Sequence, residues 1–170
     1  MAQKQVRRLT RITMLLAMGI VVHYLESLIP LPVALPGFKL GLANIFGILA
    51  LQLFGIKEML MVDYLRVALV GLVRGTFLAM PFWLALGGIT LSVLAVILAK
   101  VLFRPSITML SVLGSLFHTL GQVLTACLLY KTWVLAFQLP LLLLLAIPTG
   151  IATGILAALS YTRIRRNLHE

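Results

Sequence analysis

Apolar residues dominate the chain in long stretches, broken by short clusters of glycine, proline or charge. The stretches fall near residues 9–29, 40–54, 58–75, 82–102, 107–130 and 137–161, and each predicts a helix. A helix needs about 20 largely apolar residues to cross the hydrocarbon of a bilayer. The pattern therefore predicts an all-α fold, a polytopic membrane helical bundle of about six transmembrane helices, with residues 1–170 forming a single integral membrane domain. The second stretch is short for a span, so a five-span arrangement stays open. Between the first two stretches, Pro30 to Gly37 holds three prolines, which remove backbone donors and disfavour helix before each ring. That connection alone has the length of a gating loop.

Composition agrees with lipid as the solvent: 62% of the 170 residues are hydrophobic and 11% are charged. The net charge of +10 does not indicate nucleic acid as a partner, because the basic residues sit at the edges of apolar runs and form no polar face. They read as topology signals instead. With the amino terminus in the cytoplasm, Lys4, Arg7, Arg8, Arg11, Lys57, Lys100, Arg104, Arg163, Arg165 and Arg166 gather on the inner side, and the outer connections carry only Lys39 and Lys131. The expected location is the bacterial inner membrane, multi-pass, with both termini cytoplasmic. No small-residue cleavage site follows the first apolar run, so it is expected to be a retained helix and not a signal peptide.

Few residues carry chemistry. Asp63, Arg66 and Arg74 fall within the third helix, where burying a charge costs about 2.5 to 3.5 kcal/mol at a central position. Asp63 and Arg66 are three residues apart and close enough to pair, or Arg66 lines a wet cavity. Arg74 has no acidic neighbour in sequence; an anion or the distant Glu26 would suit it. Lys39, Asn44, Arg66, Arg74, His118 and Gln122, with His23 and Tyr64 at similar depth, are the candidates for a pocket that takes an anionic or strongly polar small-molecule substrate. His118 and Gln122 share a face of the fifth helix, and the alternative is that they merely tie helices together. No His/Cys/Asp/Glu spacing matches a metal site, Cys127 is alone, and no cofactor is expected. No phosphate-binding glycine loop is present, so any energy coupling must come from a partner or an ion gradient. The small residues Ala146, Gly150, Gly154 and Ala158 form a stripe that is either an internal seam or a docking face for another membrane subunit.

Pro36-Gly-Phe-Lys-Leu-Gly-Leu-Ala-Asn-Ile45, Phe54-Gly-Ile-Lys-Glu58, Leu65-Arg-Val67 with Gly71, and Ser111-Val-Leu-Gly-Ser-Leu-Phe-His-Thr-Leu-Gly-Gln122 follow one another in an order that resembles a known integral-membrane family. It is called both Gx transporter and heptaprenyl diphosphate synthase component I. The synthase name implies prenyl transfer, which needs clustered carboxylates to hold the metal ions of a diphosphate. With one Asp, three Glu and no Asp-Asp pair, the chain is expected not to be an enzyme. The transporter name implies likeness to the S components of energy-coupling factor (ECF) transporters: six helices, an outward pocket closed by the loop between helices one and two, and a transmembrane coupling subunit with ATPases as partners. Ala17 is followed four residues later by Val21, so the Ala-x-x-x-Ala docking stripe of those proteins is not matched. The resemblance further implies a flavin, a quinone precursor or a prenyl compound as cargo. It also implies a link to quinone synthesis or flavin-based extracellular electron transfer, in which the chain would be a non-catalytic scaffold.

Overall fold

The structure, a computed structural model, describes residues 2–28 and 41–169. Lys39 and the proline-rich connection Pro30 to Gly37 lie outside the described residues. Six α-helices follow in order: α1 Ala2–Glu26, α2 Asn44–Leu53, α3 Ile56–Val73, α4 Met80–Leu102, α5 Ile107–Tyr130 and α6 Leu139–His169, with a 3₁₀ turn Val134–Gln138 before the last. The protein is an all-helical membrane bundle. Among the described residues, the segments Gln5–Glu26, Met80–Leu102, Ile107–Tyr130 and Val134–Arg166 are long and apolar enough to cross a bilayer.

The helix expected over residues 40–54 is shorter than its apolar run. Gly41 takes φ +81, and the amides of Asn44, Ile45 and Phe46 bond back three residues, so the chain turns tightly before α2 begins. Gly55, at φ +124, then ends the run and reverses the chain into α3. Ten residues of α-helix rise only about 15 Å, half the thickness of the hydrocarbon core. Helix α2 is therefore an internal element: seven of its ten residues are buried, and it packs against α1, α3, α5 and α6. Its free carbonyl end is satisfied by Lys100 of α4, whose Nζ donates to the Leu51 carbonyl at 3.2 Å and to Gln52 Oε1 at 3.3 Å.

Residue pairings fix the direction of each helix. Gly47 meets Asp63, Gly71 meets Phe82, Gly87 meets Thr125 and Gly154 meets Thr108, so consecutive helices from α2 onward run antiparallel. Helix α1 runs parallel to α3, since Gly19 lies against Arg66 and Arg8 pairs with Glu58. The start of α1, the α2–α3 and α4–α5 turns and the end of α6 consequently share one end of the bundle. Arg7, Arg8, Arg11, Lys57, Lys100, Arg104, Arg163, Arg165 and Arg166 are all near that end. Arg74 and Lys131 are at the other.

Helices α5 and α6 meet along the stripe of small residues. A Cβ on Gly150 would stand 2.8 Å from Val112 Cα, and one on Gly154 would stand 2.7 Å from Thr108 Cα, so both glycines are spent on close backbone contact inside the protein. Hydroxyls stitch the same line. Ser111 and Thr153 are 2.9 Å apart, and Ser115 donates to the Ala146 carbonyl at 2.9 Å. Of the two readings of this stripe, the geometry selects the internal seam for Gly150 and Gly154. Ala157, and not Ala158, is the fully buried alanine at its far end.

A buried donor cluster as the candidate functional site

Arg66 is 2% exposed and sits near the middle of α3. A guanidinium at that depth requires compensation, and Asp63, one turn earlier on the same helix, supplies it. Arg66 Nη2 donates to Asp63 Oδ1 at 3.0 Å and to Asn44 Oδ1 at 3.0 Å. Two glycines make room for this pair. A Cβ on Gly47 would lie 2.2 Å from Asp63 Oδ2, and one on Gly19 would lie 3.2 Å from Arg66 Cδ. The carboxylate thus rests directly on the α2 backbone, and the arginine stem passes beside α1 where a larger residue would block it.

A similar notch seats the polar pair of α5. A Cβ on Gly88 of α4 would stand 2.8 Å from Gln122 Cγ and 2.9 Å from His118 Cε1. Both side chains are buried. His118 turns toward α2, its ring 3.3 Å from where a Cβ on Gly41 would be. Glu26, at the end of α1, closes the arrangement: its Oε1 accepts from the Gly41 amide at 2.5 Å and from the Leu42 amide at 3.2 Å. Glu26 is therefore committed to the turn before α2 and is not the counter-ion of Arg74.

Five helices converge here on a small cavity lined by His23, Glu26, Gly41, Asn44, Arg66, Val67, Ala85 and His118. Its volume, about 10 Å³ for the centre of a water-sized sphere, is room for about one water molecule. Arg66 Nε and Asn44 Nδ2 are both buried and have no hydrogen-bond partner among the described residues. A guanidinium has five N–H donors and a primary amide two, so each residue uses part of its capacity on the fold and keeps a donor over. Buried donors are almost always paired, and two orphans in residues that line one cavity mark a place where an acceptor belongs.

The candidates named from the sequence divide accordingly. Asn44, Arg66 and His118 are brought together on the cavity wall. Gln122 lies one turn beyond His118 and packs against α4, outside the lining. Arg74 caps the end of α3, eight residues past Arg66 and so about 12 Å farther along the axis, and is not on the wall either. Tyr64 donates to Thr90 of α4 at 3.2 Å and serves packing. Lys39 lies outside the described residues. Glu26 and Gly41 were not among the candidates. Gly41 falls in the Lys39-Leu-Gly-Leu-Ala-Asn44 segment that carries the family likeness, so the signal was present but pointed at the lysine and asparagine.

Among the described residues, no three His, Cys, Asp or Glu side chains are grouped to hold a metal ion, and Cys127 is buried in α5. No curated protein and no solved structure matches the chain. Residues 15–159 match the family described as heptaprenyl diphosphate synthase component I, a stretch that begins in α1 and ends in α6 and so takes in every residue of the cavity. The chain is a helical membrane protein that belongs to the heptaprenyl diphosphate synthase component I family.

Proposed function

We propose that the protein is a substrate-binding membrane subunit of a transporter, which receives a polar group of a small molecule in the cavity between α1, α2, α3, α4 and α5. One observation carries this reading: Arg66 Nε and Asn44 Nδ2 are buried donors left over by the fold on the wall of a single cavity. A bundle held together for its own sake gains nothing from a buried donor without an acceptor, which costs about 1 to 3 kcal/mol. By the positive-inside rule the basic end of the bundle faces the cytoplasm, and the cavity then lies in the outer half, reached from outside the cell. His23 and His118 complete its wall, and Asp63 holds Arg66 in place. Transport would require a partner that supplies energy, such as a transmembrane coupling subunit with ATPases.

The test is ligand-dependent thermal stability of the purified protein in detergent, with riboflavin, FMN, menadione and farnesyl diphosphate as probes. A compound that binds only the folded state adds about 2.7 kcal/mol at 100 times its dissociation constant. Stabilisation by one of them in the wild type, absent in Arg66→Ala, is the expected outcome. No stabilisation by any probe would leave the alternative, a non-catalytic accessory subunit of a prenyl diphosphate or quinone pathway. The family name favours that alternative, since a component I implies a further synthase component. The Gly150 and Gly154 stripe would not be its docking face, because α5 already occupies it.

A further inference from the structure

We infer that the group received by Arg66 and Asn44 is an uncharged carbonyl oxygen, and not a phosphate or a carboxylate. The inference rests on the substrate-binding reading above and narrows its ligand class. Three observations lead to it. The first is space: about 10 Å³ accommodates one oxygen-sized atom, whereas a phosphate group brings three strong acceptor oxygens that all need partners. The second is charge. Arg66 is already matched by Asp63 at 3.0 Å, and the Glu26 carboxylate stands on the same wall, held by the amides of Gly41 and Leu42. Among the described residues at the site, the one guanidinium is already paired with Asp63 and the Glu26 carboxylate stands nearby, so an incoming anion would be a third negative group in a buried setting, with only the imidazoles of His23 and His118 beside it.

The third observation is the donor geometry. Arg66 Nη2, the guanidinium nitrogen best suited to a bidentate grip on an oxyanion together with a neighbour, is occupied by Asp63 and Asn44. What remains is Nε and Nη1 on one residue, which no longer share Nη2 as a fork partner, and the Nδ2 amide group on another. Donors from two separate residues that line one small space suit the two lone pairs of a carbonyl oxygen. Quinones, flavin rings and other cyclic imides or ketones have this group; prenyl diphosphates do not.

The experiment compares a pair of ligands that differ by one charged group, with an uncharged quinone and a prenyl diphosphate alongside. Wild-type protein in detergent is titrated with riboflavin and FMN, which have the same ring carbonyls but differ by a phosphate, and in parallel with menadione and farnesyl diphosphate. Riboflavin is expected to bind at least about tenfold more tightly than FMN, and menadione to bind where farnesyl diphosphate does not. The infrared carbonyl stretch of the bound compound should move to lower frequency, and Asn44→Asp, which exchanges the amide donor for an acceptor, should make that shift smaller. Tighter binding of FMN or farnesyl diphosphate would overturn the carbonyl assignment and leave the binding-subunit reading intact. Binding of an uncharged probe with no change in its carbonyl stretch would overturn the assignment as well. Failure of all four probes to bind would overturn both, with the cavity then a site for one structural water.

Discussion

The two sides of the bundle treat buried polar groups in opposite ways. Along the α5–α6 seam, Ser111, Ser115, Thr149 and Thr153 bond to one another or to helix carbonyls, and the glycines bring the two backbones into contact. These four hydroxyls are all spent on the fold. Where α1, α2 and α3 meet, glycines again open the space, but side chains and not backbones fill it, and Arg66 and Asn44 keep donors in reserve. The seam shows what this chain does when it only needs to hold helices together. The contrast makes the reserve at the other site informative, because there two donors on one cavity wall are left over, whereas on α5 beyond Ser115 a single hydroxyl, that of Thr119, is buried without a partner among the described residues.

Substitutions can break this comparison from either side. The largest effect is expected for Asp63→Asn, which keeps the shape against Gly47 but leaves the buried guanidinium without a counter-charge, at a cost of about 3 kcal/mol or more. Thermal unfolding in detergent measures it, and a change below about 1 kcal/mol would mean that Arg66 finds another partner. Next comes Gly154→Val. Its Cβ alone would stand 2.7 Å from Thr108 Cα, so α6 must move off α5, and a loss of about 1 to 3 kcal/mol is expected. Ligand affinity should be nearly unchanged, since α6 contributes no residue to the cavity wall. The smallest effect belongs to Ser111→Ala, about 0.6 kcal/mol, and a double-mutant cycle with Thr153→Ala should recover most of it as coupling. If Asp63→Asn were no more costly than Ser111→Ala, the polar cluster would be an ordinary seam.

Much of the architecture is legible in the sequence, for reasons that differ by element. Helix α5 announces its limits: Ser106 stands before the apolar run and accepts from the Met109 amide as an N-cap, and the run stops at Lys131, which adopts the left-handed conformation. Helix α2 is less readable, because hydropathy continues through Gly41, Leu42 and Ala43 although the backbone there turns. For the site, hydropathy and charge give the depth of Asn44, Arg66 and His118 but not their rotation about each helix axis. Rotation is set by the notches at Gly19, Gly47 and Gly88, and these become visible only when the helices are packed. Without rotation, Arg74 and Gln122 read as pocket residues too, although neither lines this cavity. The role of Glu26 is not legible, since a carboxylate that caps a turn fifteen residues away leaves no spacing signal, and from sequence it is only one of two partners that would suit Arg74.

The claim at the centre of this account is that the spare donors of Arg66 and Asn44 serve a ligand and not the fold. Arg66→Lys separates the two roles, because lysine keeps a cation beside Asp63 and loses the Nε donor and the planar fork. Its stability without ligand and the stabilisation it gains from riboflavin and menadione should be measured together. The account predicts a ligand-free protein within about 1 kcal/mol of the wild type, with stabilisation by the probe that binds the wild type abolished. A variant that loses stability as severely as Asp63→Asn, while probe binding survives in what remains folded, would contradict it.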